Sequence, residues 1–360
     1  MGERVKNFIS RYDSYLTPIA LLAGFVWDNL TLRRIDLLFE NMSILIYLAI
    51  AFFGIFITNA SQAGKFKNRF FLKINTWVPF LLQFAFGGLF SAFIIFYSRS
   101  GSIYTSWPFI LTLAFLFIGN ELFKKKYQRL TFQLSVFFMA LFSYSVFAVP
   151  ILLNKIGQEI FLLSGAVSIV MFVFLIFILY KLIPQKINES KKSIIISVAV
   201  IYIMFNVLYF LRIIPPIPLS IKESGVYHSV VRKDSVYEIK YEKPEWYLFF
   251  KNYDEKYHWQ KGSPVYNFTA VFSPGGINTK IFHRWYFFDE KNKNWILKDT
   301  LGFPIVGGRD GGYRGYSVKY QLQPGKWRVD TMLENGQVLG RNSFILIESE
   351  KTPRLYTEIK

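Results

Sequence analysis

Seven long apolar runs fill the first 212 residues, and a different rhythm takes over after them. The runs lie at about Leu16–Leu32, Ile44–Ala60, Trp77–Tyr97, Tyr104–Leu122, Leu130–Leu153, Ile160–Leu182 and Ile194–Leu211. A helix needs about 20 residues to cross roughly 30 Å of hydrocarbon. The third, fifth and sixth runs exceed that length; the first is short and is interrupted by Asp28 and Asn29. The pattern predicts a helical membrane domain of about seven spans over residues 1–212. Next comes Ile213-Ile214-Pro215-Pro216-Ile217-Pro218, where prolines end a helix and favour an extended exit; residues 213–221 are read as a linker. From Val226 onward, short β-branched and aromatic runs alternate with Gly, Pro and Asn turns, the signature of an all-β fold. The expected strands are Tyr237–Tyr241, Tyr266–Phe272, Ile281–Phe288, Trp295–Leu301, Tyr316–Gln321, Lys326–Leu333 and Val338–Ile347. They define a β-sandwich-like domain over 222–350, with 351–360 as a tail.

The last two strands flank Asn335-Gly336, a strong signal for a two-residue type I′ hairpin. That turn sets a register in which Trp327 faces Phe344, Leu333 faces Val338 and Asp330 faces Arg341. Trp327 then belongs to the core face with Val329 and Thr331. Asp330 and Arg341 are expected as a solvated cross-strand ion pair on the opposite face.

Charge adds an orientation. The chain has 42 Lys and Arg against 24 Asp and Glu. In the first half the basic residues gather in alternate loops: Arg4, Lys6 and Arg11; Lys65, Lys67, Arg69 and Lys73; Lys124, Lys125, Lys126 and Arg129; Lys186, Lys191 and Lys192. This is the positive-inside pattern with a cytoplasmic N-terminus, so the β-rich domain is expected outside the cytoplasm. Most of the positive charge is thereby explained by topology, and a nucleic-acid partner is not expected. The milder basic excess after residue 212 fits either an ordinary mixed surface or an anionic partner such as lipid phosphate or acidic glycan. The chain has no cysteine, which removes disulfides, thiol catalysis and thiolate metal sites. No small-x-small cleavage site follows the basic N-terminus, so the first segment is read as uncleaved.

The chemistry-bearing motifs are few. The sequence holds no P-loop, Rossmann glycine pattern, HExxH or nucleophile elbow. His228, His258 and His283 are far apart in sequence and are read as separate histidines rather than a metal set. The segment 307–317, GGRDGGYRGYS, is the most distinctive. Its glycines permit close backbone approach, Arg309 and Arg314 supply forked donors, and Tyr313 and Tyr316 supply flat faces with polar tips. Arg309, Asp310, Tyr313, Arg314 and Tyr316 are therefore candidate ligand-binding residues; the competing reading is a tight β-connection in which Arg309 and Asp310 pair locally. His283 and Trp285 could join such a site only on the face opposite Arg284, because side chains alternate along a strand. In the membrane half Asp28, Asn120 and Glu121 are candidate intramembrane polar residues. Both acids lie near segment ends, Asp28 close to Arg33 and Glu121 before Lys124 and Lys125, so interfacial pairing is expected over an ion pathway. Gly87-Gly88 is expected to allow close helix packing.

The phrases HRWYF, GGRDGGYRGYS, PGKWRVD and NGQVLG, followed by a Ser-Phe-Ile strand, run in order from His283 to Phe344. That order resembles the bacterial domain-of-unknown-function family numbered 2914. The phrases GFVWDNLTLRRID, QFAFGGLFSA and GNELF look like the helical module that accompanies this domain in some Gram-negative proteins. The resemblance implies a multi-pass inner-membrane protein with a periplasmic domain; it assigns no activity, since the family is named for lacking one. The expectation is a non-enzymatic envelope protein in the lipid bilayer, without cofactor, whose β-domain binds an envelope protein, a glycan or an anionic lipid. The alternative is a transporter or membrane enzyme with its site between the helices and a regulatory β-domain. The oligomeric state is not legible.

Overall fold

A computed structural model of the protein describes residues 24–32, 34, 36–65, 78–101, 103–122, 129–234, 236–246, 253–351 and 353–360. The chain divides into two compact units, Met1–Ser98 with Trp107–Ile214, and Arg99–Ser106 with Pro215–Lys360.

Seven helices precede the β-rich region among the described residues: α1 over 24–31, α2 Leu38–Gln62, α3 Val78–Ser100, α4 Ile103–Leu122, α5 Leu130–Leu153, α6 Gln158–Leu182 and α7 Pro184–Phe210. Five are long and apolar enough to cross a membrane: α2, α3 from Leu81, α5, α6 and α7. That is fewer than the seven spans expected. Of the first run only 24–32 is described, with helix over 24–31. In α4, which contains Pro108, the apolar stretch is Thr105–Ile118.

α5 and α6 are apolar on both faces, as buried or lipid-facing helices are. On α6 the inward stripe is Phe161, Ser164, Gly165, Ser168, Phe172, Leu175 and Leu179, a helical spacing that puts small residues where helices approach. Its outward positions Val170, Val173, Phe174 and Phe177 are large, apolar and exposed. Gly88 serves α2–α3 packing: a Cβ there would stand 2.7 Å from the Tyr47 ring. α5 ends on Asn154 at φ 53°, a left-handed cap that releases the chain. α7 begins ten residues before the expected seventh segment, with Pro184 in its first turn. Lys186 therefore lies on a helix rather than in a loop. Its Nζ donates to Asn59 Oδ1 at 2.7 Å and Gln62 Oε1 at 2.5 Å, and Asn59 Nδ2 donates to Gln133 Oε1 at 2.6 Å. This polar knot ties the end of α2 to the starts of α5 and α7.

The second unit is β-rich: β1 Ser220–Tyr227, β2 Ser229–Lys233, β3 Val236–Tyr241, β4 Lys256–Trp259, β5 Val265–Phe272, β6 Thr279–Asp289, β7 Asn294–Ile305, β8 Tyr313–Lys319, β9 Gly325–Leu333, β10 Val338–Glu348 and β11 Tyr356–Ile359. They form sheets ordered β1-β5-β8, β4-β10-β9-β6-β7 and β11-β3-β2. Val226, Val265, Trp285, Trp327, Val329, Phe344 and Leu346 share one core between the first two sheets. Tyr227, Val230, Ile239, Phe268 and Ala270 share another between the first and third. The β1-β5-β8 sheet is thus the middle of three layers. β5 accordingly is buried at nearly every position, as strands covered on both faces are. Four strands fall where none was expected: β1, which starts inside 213–221, β2, β4, and β11, which lies in the stretch read as a tail and pairs with β3 from Tyr356↔Tyr241 to Ile359↔Glu238.

In the last hairpin Phe344 pairs with Trp327 and Arg341 with Asp330, as the sequence register requires, but a bulge between Val338 and Gly340 moves Val338 opposite Met332. The turn is not type I′. That turn needs positive φ at both central residues, and Asn335 is not among the non-glycine residues with positive φ. Instead Gly336 N–H donates to Leu333 O at 3.0 Å, and Gly336 itself takes φ 84°, a glycine bulge beside a tight turn.

Candidate functional site

Strand alternation divides the HRWYF phrase between two environments. His283 and Trp285 point inward and are fully buried. The His283 ring meets Ser317 Oγ at 2.9 Å, Thr269 Oγ1 at 2.9 Å and Asn267 Nδ2 at 3.3 Å. Trp285 Nε1 also donates to Ser317 Oγ at 3.0 Å, and Asn342 Nδ2 donates to Asn267 Oδ1 at 2.7 Å. This network links the middle sheet to the five-stranded sheet through groups that would otherwise be buried and unpaired. Burial pushes the His283 imidazole down to a pKa of about 3, so the ring is neutral near pH 7.

Arg284 and Tyr286 point the other way, onto the outer face of the five-stranded sheet. There Arg284 lies directly across from Asp330 of β9, and Tyr286 across from Arg328. β10 brings Arg341 opposite Asp330 from the other side. Arg341 grips the carboxylate as a fork, Nε to Oδ1 at 2.6 Å and Nη2 to Oδ2 at 2.9 Å. The expected solvated pair is thus a correction: the Asp330 side chain is only 3% exposed and Arg341 20%. The central position in the sheet, with arginines on both flanking strands, shields the carboxylate. Arg328 Nε stands 3.7 Å from Asp330 Oδ2, and its guanidinium lies over the rings of Tyr286 at 4.5 Å and Trp295 at 4.7 Å. Burial lowers the pKa of Arg328; Asp330 opposes that and Arg341 reinforces it. The Nε atoms of Arg284 and Arg328 are shielded from solvent and have no hydrogen-bond partner among the described residues. Beside them Ser343 and Ile345, on the same face of β10, are exposed. Arg341 and Arg328 therefore meet one carboxylate, with Arg284 across from it in register, on a face that opens to solvent at its edge. Sequence reading found Asp330 and Arg341 but not their convergence with Arg284 and Arg328; the alternation of GKWRVD against HRWYF carried the signal, and only the β6–β9 register, which no short turn sets, completes it.

The 307–317 segment divides differently. Its glycines let two connections touch: a Cβ on Gly307 would fall 1.9 Å from the Pro274 carbonyl oxygen, and Gly312 holds φ 80° against the backbone of β5. Arg309 and Asp310 are exposed in the connection, with Arg309 over the Tyr313 ring at 5.5 Å. Tyr313 shares a strand face with the inward Ser317. Arg314 and Tyr316 alternate to the opposite face, where Tyr316 meets Tyr237 and Tyr266 at about 6 Å. Arg314 alternates away from Tyr313 along β8, yet its guanidinium Nη2 would stand 4.0 Å from a Cβ on Gly311 in the connection.

His228 and His258 do converge. Their rings meet Glu242 at 2.8 Å through Nε2 and 2.5 Å through Nδ1, and the His258 backbone N–H donates to the same carboxylate at 2.8 Å. Burial raises the Glu242 pKa, but the two imidazoles and the N–H outweigh it and hold the acid below its ordinary value. His283 lies in the buried network instead, and among the described residues no three or more His, Asp or Glu side chains are placed to hold a metal ion together. Asp28 is half-buried on α1; Arg33, its expected partner, lies outside the described residues. Asn120 and Glu121 close α4; their side chains, with Lys124 and Lys125, lie outside them too.

No curated protein matches the chain. Among solved structures, a β-glucosidase from Listeria innocua in complex with gluconolactone shares 9% identity over 34% of this chain and 16% of that chain, with a TM-score of 0.19. The alkylpurine DNA glycosylase AlkC of Pseudomonas fluorescens, bound to DNA containing an abasic site analog, shares 8% identity over 87% of this chain and 99% of that chain, with a TM-score of 0.23. Likenesses this weak support no argument about fold or function. Arg284, Tyr286, Trp295, Arg328, Asp330 and Arg341 all fall within residues 278–345, the stretch that matches the family described as Protein of unknown function (DUF2914), in agreement with the resemblance carried by its sequence phrases.

Proposed function

We propose that this chain is a multi-pass inner-membrane protein whose β-rich unit stands outside the cytoplasm and binds an anionic component of the envelope without transforming it. Five long apolar helices with apolar outward faces support the membrane part, and the alternation of basic loops supports the orientation. The observation that carries the binding function is the arginine face: a surplus of guanidinium groups with shielded donors, next to exposed sheet surface. Non-enzymatic binding suits a site made of cations and aromatic walls, which recognise charge and shape. The test is a photo-reactive residue in place of Ser343 in the full-length protein in cells. Irradiation should yield an adduct with an envelope component, and Arg284→Gln with Arg328→Gln should abolish it. No adduct from Ser343, together with arginine-independent adducts from Val173 on α6, would favour chemistry or transport between the helices instead.

A further inference from the structure

We propose that Arg284 and Arg328, on the outer face of the five-stranded sheet, bind the phosphate of a phosphate monoester beside the Arg341–Asp330 pair. The proposal deepens the binding function above and rests on it for the ligand's source. Charge stoichiometry comes first. Arg341 satisfies both oxygens of Asp330, so that pair is closed. Arg328 stands off at 3.7 Å, and no ion pair of Arg284 occurs among the described residues. Two positive charges are left over, with an Nε donor on each hidden from water and unmet. Shielded donors on a cation are costly unless an acceptor reaches them.

Ligand shape follows from the donors. A carboxylate has two oxygens, which a single guanidinium occupies in a fork, as Arg341 does with Asp330. A phosphate monoester carries three non-bridging oxygens and close to two negative charges near pH 7, so it can accept from both arginines and match the surplus. Tyr286 and Trp295 both lie against the Arg328 guanidinium, which restrains the donor before the ligand arrives and lowers the entropic cost of binding. A lipid head group and a soluble sugar or glycerol phosphate share this chemistry.

The test uses the full chain in phosphatidylcholine nanodiscs, with tryptophan fluorescence as readout and Trp295→Phe to assign the signal. Inorganic phosphate and glycerol phosphate are titrated in one arm; in the other, the nanodiscs are floated with vesicles of phosphatidylcholine with or without phosphatidic acid. Saturable binding in either arm should weaken about tenfold or more in Arg284→Gln and in Arg328→Gln, partly in Arg284→Lys, and not in Arg232→Gln on exposed β2. Binding of the soluble esters identifies a soluble ligand; binding of phosphatidic acid vesicles alone identifies a lipid head group. Melting temperature checks the fold: removing one of three like charges should leave it level or raise it, whereas a structural salt bridge would lose it. Binding that ignores both arginines, or no binding in either arm, overturns the site while leaving the membrane topology to stand or fall by its own measurement.

Discussion

Burial of single side chains decides most of what can be tested in the β-rich unit. Trp327 is 2% exposed and packs with Trp285, Val329 and Phe344. Trp327→Ala should destabilise the unit by about 3–5 kcal/mol in denaturant titrations; unchanged stability would mean the ring is not in the core. His283 makes a pH prediction. Its folded pKa, about 3, lies below the ordinary imidazole value, so protons favour the unfolded chain. Its contribution is therefore full above about pH 6.5 and is lost as pH falls toward 3, at up to about 1.4 kcal/mol per unit. Between pH 7.5 and 5 the stability of His283→Gln should fall less steeply than that of the parent; parallel slopes would contradict the assignment. Asp330 shows where residue-level reading stopped. One hairpin gave its partner Arg341 correctly, but burial came from β6, a third strand that the hairpin register does not contain. Asp330→Asn should cost about 3–5 kcal/mol, because it strips the anion from the shielded fork that Arg341 makes with it; a loss below about 1 kcal/mol would mark the pair as solvated after all.

Elements with strong apolar or aromatic alternation were legible, and those without it were not. β5, β6, β9 and β10 fall within a residue or two of their expected places because each lines a core. β2, β3 and β11 form the outer layer, and only one of them was anticipated; Arg232, Lys233, Glu238, Lys240 and Glu358 give that sheet a charged surface rather than a clean alternation. The glycines of 307–317 were noticed for ligand approach, yet Gly307 and Gly312 bring backbone against backbone. Gly307→Ala should therefore lower the melting temperature clearly, by more than about 1 kcal/mol in stability, while Arg309→Ala nearby should not. Equal, small effects would put the glycines back among candidate ligand contacts. Loss of β11 is a second test at this scale. Lys360 holds Glu223 of β1 at 2.5 Å and Glu358 at 2.6 Å, so a chain ending at 350 should melt earlier than one ending at 360.

At the scale of the whole molecule the sequence carried the division into a helical half and a β-rich half, because hydropathy averages over many residues and survives local exceptions. The number of spans was less legible, since Asp28, Pro108 and Glu121 break the first and fourth runs, and the three-layer arrangement was not legible at all. The candidate site required both strand alternation and non-local register. The central claim is that the arginine face looks outward from the cytoplasm, and the chain allows a direct measurement because it has no cysteine. Single cysteines in place of Ser343 on β10 and of Lys126, in the basic stretch between the fourth and fifth apolar runs, can be treated with a membrane-impermeant maleimide in cells whose outer membrane has been opened. The account predicts that Ser343→Cys labels in intact spheroplasts and Lys126→Cys only after lysis; the reverse pattern would contradict it.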